Sequence, residues 1–344
     1  MGLKKRLYDL AGARAQGALD RGRYAGGLLP RVDTSPGPGT CRPWPPGYSA
    51  ALVVSADLEL AWAWRYARIF DEPAAVALDL ARRTRENLDG LLDVFARTDT
   101  PVTWATVGHL LLDGCLRVDG RAHPEMPRLG HFANELWRFS GEDWFEHDPC
   151  TDVSSDPEWY GPDLVDRVLA ADPRHEIGCH TFSHVDFADG VCEPGVAEAE
   201  LRATVAAGAA RGIPIETMVF PGNRHGNFAA LRACGFSAYR FHGRHHLGPV
   251  RRDSFGMLQI PGGLCLETPL GWPRRAWAAT LCRCIDKAVE TNTVVHLWFH
   301  PSCDPEDLTE VFPVVLGHAA ERADVLWRTT MKGVVELCGE ATVE

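Results

Sequence analysis

The chain of 344 residues carries 35 basic and 46 acidic side chains, which gives a formal net charge of −11. This acidic balance excludes general binding to nucleic acid or to anionic membranes across the whole surface, and the length allows one domain with a substantial core. No apolar run approaches the length of a membrane span, and no secretion signal follows the basic start.

The cysteine pattern bears on the cellular compartment and does not predict a metal or redox site. Eleven cysteines form an odd set without regular framework spacing or a Cys-x-x-Cys pair. Together with the missing secretion signal, this favours reduced thiols in the cytoplasm.

Residues 1–48 are predicted to form an N-terminal extension. Residues 1–30 carry basic side chains, among them Lys4, Lys5 and Arg6, between leucines and alanines. This pattern favours a helix that packs outside the fold, with weak contact to an anionic membrane surface as the alternative. Residues 30–46 are rich in proline and glycine, which is typical of a connector.

The first predicted strand, residues 52–57, ends in two acids. A run of small and β-branched residues before Asp57 is typical of a buried parallel strand that leaves the core at a wet rim. Side chains alternate along a strand, so Asp57 and Glu59 should point the same way, while Leu58 points away. Such a pair can supply one metal ligand and one general base.

A helix over residues 78–96 and a second strand over 101–107 follow. Residues 109–161 then form an insertion, and connections of this length are usually functional. The insertion contains several aromatic residues among acids (Trp137, Trp144, Trp159 and Tyr160). They suit contacts with a sugar ring or the packing of the insertion on the rest of the fold, and both interpretations stay open. We predict that the insertion is a lid or a wall over the site.

Residues 175–184 read HEIGCHTFSH and place two histidines after a short apolar strand. If the turn after Gly178 is helical, His180 and His184 share one face, with Cβ atoms about 5–6 Å apart. Two neutral imidazoles at that separation can bind one divalent cation.

The rest of the chain alternates helices and strands. Helices are predicted over residues 193–211, 276–290 and 316–337, and strands over 217–221, 235–241, 257–261 and 294–299. His300 closes the last of these strands. An acid pair, a histidine pair and a single histidine that each close a strand predict one site at the carboxyl edge of an α/β barrel.

The segments SADLE, HEIGCHTFSH and HLWFHP resemble, in this order and spacing, the first, second and fifth motifs of the polysaccharide deacetylase family (carbohydrate esterase family four). The resemblance spans roughly residues 50 to 305. It implies a distorted (β/α) barrel, here predicted within residues 49–344 with about seven parallel strands. It also implies a divalent metal held by one acid and two histidines, and hydrolysis of an N-acyl or related amide bond.

On this resemblance, Glu59, His180 and His184 are the predicted metal ligands, with zinc expected and cobalt, nickel or manganese as alternatives. Asp57 is the predicted base and His300 the predicted acid. The predicted substrate-binding residues are Asn223, Arg224, His225 and Trp298.

The chain departs from the family pattern in three places. Leu58 stands where the family has its second aspartate, so either Glu59 or Asp57 could be the acidic ligand. The arginine of the third motif is missing, and only Arg224, just downstream, could steer the base. No residue matches the aspartate that orients the last histidine, for which Asp253 and Asp304 are candidate replacements.

The predicted function is that of a cytoplasmic metal-dependent N-deacetylase acting on an amino sugar in glycan or secondary-metabolite assembly. The substrate would be a small molecule or a lipid- or nucleotide-linked sugar, with no nucleic acid partner. The alternatives are an amidohydrolase for a cyclic amide, a ureide or a formyl group, and a catalytically inactive glycan-binding barrel.

Overall fold

The computed structural model describes residues 15, 18–24, 29–35, 37, 39–41 and 44–340. Its strands are β1 (Thr40–Cys41), β2 (Ala50–Leu58), β3 (Thr103–Thr106), β4 (Phe132–Ala133), β5 (Arg138–Phe139), β6 (Glu176–Cys179), β7 (Thr217–Met218), β8 (Ala238–Phe241), β9 (Leu247–Gly248), β10 (Val250–Arg252), β11 (Leu258–Pro261), β12 (Leu264–Cys265), β13 (Val294–Phe299) and β14 (Leu326–Thr329). Its α-helices are α1 (Pro73–Thr98), α2 (Pro162–Ala170), α3 (Pro194–Ala210), α4 (Phe228–Ala233), α5 (Arg274–Thr291), α6 (Pro305–Glu310), α7 (Phe312–Ala320) and α8 (Met331–Glu340). Short 3-10 turns occupy Leu60–Trp62, Gly108–Leu111 and Pro221–Asn223.

One large sheet organises the fold. Its central run is parallel, in the order β11-β8-β7-β6-β3-β2-β13-β12, and β14 pairs in parallel with β2. The register aligns Leu58 with Thr106, Thr106 with Cys179, and Ala56 with Phe299. The carboxyl ends of β2, β3, β6 and β13 therefore meet at one edge, where the predicted site residues follow.

The α/β class and the parallel-rich sheet agree with the sequence-based prediction. The parallel strands number more than the seven expected, because the short β12 and β14 flank the longer ones. Among the described strands, the hydrogen-bonded order begins at β1 and ends at β12 rather than returning on itself.

Strand β2 lies at the centre, and all nine of its residues are buried. It pairs with β3, β13 and β14, which explains why its sequence is almost continuously apolar. Helix α1 packs over the sheet through Leu88, Leu91 and Phe95. It ends at Thr98, and the left-handed backbone of Asp99 lets the Thr100 N–H reach the Phe95 carbonyl at 3.0 Å.

The described part of the N-terminal extension packs on the outside of the fold. Residues 18–24 are helical. Arg21 donates to the Gly271 carbonyl at 3.0 Å, and its guanidinium lies over the Trp272 ring. The basic residues at the start of the chain, including Lys4 and Lys5, fall outside the described residues. No helix within the described range is long and apolar enough to cross a membrane.

A disulfide joins Cys41 in β1 to Cys338 in α8. The prediction that the thiols are reduced is therefore wrong for this pair. The two cysteines are 297 residues apart, so only the tertiary fold brings them together, and spacing along the sequence could not reveal the pairing. Disulfides are typical of oxidising compartments, so the cysteine pattern no longer supports a cytoplasmic location.

The insertion contains little regular structure beyond the β4–β5 hairpin. Trp144, Trp159 and Tyr160 are buried in the main core cluster. Of the two interpretations that the sequence left open, sugar contacts and packing of the insertion, packing is correct for these three aromatic residues.

Candidate metal centre and active site

Glu59 and the two histidines of the second motif meet at the carboxyl edge of the sheet. Glu59 Oε1 lies 3.1 Å from Nε2 of His180 and 3.1 Å from Nε2 of His184. His300 approaches from β13, with its Nε2 4.0 Å from the same oxygen. Asp57 and Glu59 face the same cavity, as strand alternation predicts.

The loop that carries the histidines is not the helical turn on which the predicted geometry depended. Thr181 and His184 both have left-handed backbones, with φ of 59° and 60°. Each such residue costs about 1–2 kcal/mol, so surrounding contacts must hold the loop in place. Buried Glu200 in α3 supplies them, because it accepts hydrogen bonds from the Ser183 N–H at 2.8 Å and the Ser183 hydroxyl at 2.7 Å.

The hydrogen-bond pattern of this cluster fits a divalent cation. The Val219 carbonyl can only accept, so at 2.7 Å it fixes the proton of His180 on Nδ1. The lone pair of His180 Nε2 then faces the Glu59 carboxylate with no proton between them. An acceptor that holds the proton of the outer ring nitrogen in this way is typical of metal-binding histidines. One carboxylate and two imidazoles also leave positions open, as a catalytic metal site requires.

Electrostatics keep Glu59 ionised. Burial alone would raise the pKa of its carboxyl group, but the charges of the nearby His300 and His184 hold that pKa well below its usual range. Glu59 is therefore a carboxylate, the form that a metal ligand needs.

Asp57 is held by an arginine that the sequence did not single out. Arg240 of β8 makes a bidentate ion pair with Asp57, with both nitrogen–oxygen distances at 2.7 Å. Its NH1 also donates to the Ser55 hydroxyl and its NH2 to the Asn223 side-chain carbonyl. The expectation that Arg224 steers Asp57 is wrong.

Arg224 points away from Asp57. It pairs with Asp186 at 2.5 Å and with Glu135 at 2.8 Å. The 3-10 turn at Pro221–Asn223 precedes it, and Arg224 leaves that turn on the side of the insertion, which carries Glu135.

Replacing Arg240 with glutamine is expected to lower the free energy of unfolding by about 3–5 kcal/mol, because the change leaves the Asp57 carboxylate buried without its partner. Asp57 is only 4% exposed and Arg240 only 1%. Urea denaturation measures the loss. The matched control is Arg202→Gln, which breaks an exposed helical pair with Glu198 and should change stability little. Equal effects of the two substitutions would contradict the importance of the buried pair.

Glu267, which follows β12, orients the last histidine. Its Oε1 accepts from His300 Nδ1 at 2.8 Å and from the His300 backbone N–H at 2.7 Å. Burial lowers the pKa of His300, but the charges of Glu267 and then Glu59 outweigh that effect and raise the pKa to about 10. His300 therefore carries a proton at neutral pH.

The two acids expected to orient His300 are engaged elsewhere, so that expectation is wrong. Asp253 accepts a hydrogen bond from the Tyr239 hydroxyl at 3.1 Å. Asp304 caps the start of α6 through the Glu306 N–H and pairs with Arg274.

Known proteins were compared with this chain and its fold. No protein-family model matches the sequence, and no curated protein matches it. A solved structure assigned as a polysaccharide deacetylase from Mycobacterium smegmatis superposes with a TM-score of 0.62 at 12% identity, covering 90% of this chain and 96% of that one. A second, assigned as a polysaccharide deacetylase from Pseudomonas aeruginosa PAO1, gives a TM-score of 0.60 at 15% identity, with 87% and 94% covered.

The chain has the polysaccharide deacetylase fold. The resemblance inferred from the three motifs is therefore confirmed at the level of fold. The structure of Puue allantoinase shares this fold, with a TM-score of 0.59 at 15% identity over 88% of this chain and 94% of that one.

In this polysaccharide deacetylase fold, the site opens into a cavity of about 220 Å³. Asp57, Glu59, His184 and His300 lie on its polar side. Its other walls are largely apolar and are formed by Ala63, Trp64, Ala67, Ile69, Leu136, Trp137, Gly222, Asn223 and Trp298.

Two of the four predicted substrate-binding residues, Asn223 and Trp298, line this cavity. Arg224 and His225 do not. The His225 ring stacks on Phe241 at 5.0 Å, and its Nε2 accepts from the backbone N–H of His242. His225 is therefore part of the packing behind the wall, and the prediction of substrate contacts at these two positions is corrected.

The insertion contributes one wall of the cavity. The Trp137 ring lies edge-on to His184, with centroids 5.4 Å apart. Trp137 also packs against Gly222, where an added Cβ would lie 2.5 Å from the indole and where φ is 56°. Glycine at position 222 is therefore required for the insertion to approach the site so closely.

Proposed function

We propose that the protein is a metal-dependent hydrolase that removes an N-acyl group, in the first instance acetyl, from an amino-sugar substrate of glycan or secondary-metabolite biosynthesis. The observation that carries this proposal is the meeting of Glu59 Oε1 with Nε2 of both His180 and His184 beside a substrate-sized cavity. The fold supports it, since two of the solved structures that share the fold are assigned as polysaccharide deacetylases.

Glu59, His180 and His184 would hold the divalent metal, with zinc as the first choice and cobalt, nickel or manganese as alternatives. When bound, such a metal polarises the acyl oxygen and lowers the pKa of water towards neutrality. Of the two acids, Glu59 is the better ligand, because its oxygen contacts both imidazoles while both Asp57 oxygens are engaged by Arg240.

Asp57 is proposed as the general base. Its carboxylate lines the cavity, and Arg240 holds it in one orientation, so it can take a proton from the attacking water.

His300 is proposed as the general acid. Glu267 accepts the Nδ1 proton, so the Nε2 proton points into the site, towards Glu59. His300 can give that proton to the departing amine when the C–N bond breaks, since an amine leaves as a neutral molecule only after protonation.

The cavity limits what the site can take. A volume of about 220 Å³ is small for a ligand pocket, so an acyl group and one sugar ring would fill it. Trp64, Trp137 and Trp298 offer rings to the apolar face of a sugar. The remainder of a lipid- or nucleotide-linked substrate would then lie outside the cavity.

A second candidate function is hydrolysis of a cyclic amide, a ureide or a formyl group. The allantoinase that shares this fold favours it, and the apolar cavity is compact enough for a small ring. The third alternative, an inactive glycan-binding barrel, does not account for Asp57 and His300, which are both held in orientations suited to proton transfer.

The test is a hydrolysis assay of zinc-loaded protein on N-acetylated sugars and nucleotide sugars, N-formylated sugars and cyclic ureides. Acetate release that is lost on chelation and restored by zinc supports the deacetylase. Formate or a ring-opened acid instead supports the second function. Protein that binds zinc stoichiometrically but turns over none of these substrates would overturn both.

A further inference from the structure

A second group of metal-binding side chains lies at the base of the insertion. His109 stands in the 3-10 turn that follows β3, and Cys115, His123 and Asp148 come from the insertion. Both imidazoles and the carboxylate are buried, and the thiol is partly buried. The group shares no residue with the proposed active site.

Five of the six separations between the four donor atoms are close to those of a tetrahedron, and all four atoms lie within 4.8 Å of one another. His109 Nε2 lies 3.1 Å from His123 Nε2 and 3.1 Å from Asp148 Oδ2, and His123 Nε2 lies 2.9 Å from the same oxygen. Cys115 Sγ lies 3.8 Å from His109 Nε2 and 3.6 Å from Asp148 Oδ2. Zinc bonds of about 2.0 Å to nitrogen and oxygen and 2.3 Å to sulfur require ligand separations of about 3.3 and 3.5 Å in a tetrahedron.

Each of the two histidines has an acceptor beside Nδ1, the ring nitrogen that faces away from the centre of the group. His109 Nδ1 is 3.3 Å from the Trp159 carbonyl, which can only accept. His123 Nδ1 is 3.3 Å from the Glu125 carboxylate. With the protons on Nδ1, both Nε2 atoms present lone pairs to each other and to Asp148 Oδ2, an arrangement that is repulsive unless a cation lies between them.

Asp148 is oriented in the same sense. Its Oδ1 accepts from the Cys150 backbone N–H at 2.9 Å and from the Tyr160 hydroxyl at 3.3 Å. Its Oδ2 is left to face the two Nε2 atoms. Three acceptor atoms thus converge in a buried space, and their outer partners are of the kind that surround bound metals.

We propose that His109, Cys115, His123 and Asp148 form a structural zinc site. Four protein ligands close the coordination sphere, whereas the proposed catalytic site keeps positions open. A mixed set of imidazole, thiolate and carboxylate ligands in this geometry favours zinc, with cobalt as a spectroscopic substitute.

The site would fasten the insertion to the sheet edge. Residues 115–161 have few regular hydrogen-bonded elements of their own. A metal bridge to His109 would therefore hold them in place instead of the backbone hydrogen bonds of a paired strand. The bridge also supports the loop of the proposed active site. The Phe182 ring lies 5.6 Å from that of His109 and 5.4 Å from that of His123, and the Phe182 carbonyl accepts from the His109 N–H at 2.9 Å. The four proposed zinc ligands are thus positioning residues and contact no substrate.

The test uses full-length protein stripped of metal and loaded with Co²⁺. Sulfur-to-cobalt charge transfer reports this site alone, because the proposed catalytic ligands include no cysteine. Wild-type protein should bind two equivalents of Co²⁺ and show the near-ultraviolet thiolate band. Cys115→Ser should lose the band. The matched control Cys150→Ser, which removes a neighbouring thiol outside the ligand set, should keep both the band and the stoichiometry.

A second measurement does not depend on the folding of a ligand variant. His184→Ala disrupts the proposed catalytic site, so its remaining zinc should show one sulfur neighbour at about 2.3 Å by X-ray absorption. Wild-type protein that lacks the cobalt band, or zinc in His184→Ala that has only nitrogen and oxygen neighbours, would overturn the proposal. In that case the four side chains form a hydrogen-bonded cluster only.

Discussion

Replacing His184 with alanine is expected to abolish hydrolysis and to remove one equivalent of divalent metal, while the protein stays folded. The imidazole is one of the two that contact Glu59 Oε1 at 3.1 Å, and a carboxylate with a single imidazole binds metal far more weakly than the full set of ligands. The same result is expected for His180→Ala. Metal content by mass spectrometry and product release on the best substrate measure the two losses.

The control for this pair is His318→Ala, which removes a partly exposed histidine on α7 that pairs with Asp286. That variant should keep the metal content and activity of the wild type. Circular dichroism and the melting temperature would show whether the His184 variant is folded. Normal zinc content in either the His180 or the His184 variant would refute the assignment of these ligands.

Replacing His300 with alanine is expected to leave the metal content unchanged and to lower kcat by about 10²–10⁴-fold, the usual contribution of a general acid. His300 supplies none of the three ligand atoms, which come from Glu59, His180 and His184, whereas the departing amine loses its proton donor. Steady-state kinetics on the substrate identified by the assay, with metal analysis of the same samples, give both quantities.

The nature of the leaving group separates proton donation from a general structural role. An ester analogue, whose leaving oxygen needs less protonation, should lose much less rate in His300→Ala than the amide does. An equal loss on both substrates would indicate that His300 acts by shaping the site. An unchanged rate on the amide would remove it from the mechanism.

The part of the site that could be predicted from the sequence consists of reactive side chains located at the ends of strands. Asp57 lies near the end of a parallel strand, and Glu59, His180 and His300 each directly follow one. Parallel pairing brings those ends to one edge. Their meeting therefore follows from topology and needs no knowledge of side-chain packing. The same reasoning gave the α/β class and the parallel sheet.

The residues that orient the site were not predictable in this way. Arg240, Glu267 and Glu200 reach the site across the tertiary fold, and no local spacing marks them. Arg240 is 183 residues from Asp57 along the chain, so only the packed structure shows which arginine contacts the base. Arg224 was the nearest candidate by sequence, but it follows a turn that directs its side chain towards Asp186 and Glu135.

The conformation of the histidine loop was also beyond sequence reasoning. An i,i+4 spacing implies a helical turn, but Thr181 and His184 adopt left-handed backbones. The hydrogen bonds of Glu200 and other tertiary contacts offset the conformational free energy that these backbones cost. The two imidazoles meet nonetheless, because Glu59 sits between them.

The contacts of the Arg240 guanidinium limit how the substrate preference of such a protein can change in evolution. It contacts Asp57, the Asn223 amide in the cavity wall and the face of Trp298, so substitutions near it would alter turnover and substrate choice together. Leu136 and Trp137 of the insertion line the same cavity, and among the described residues no hydrogen bond or ion pair joins them to the proposed proton-transfer residues Asp57 and His300. New substrate preferences would therefore evolve, or be engineered, most readily from the insertion.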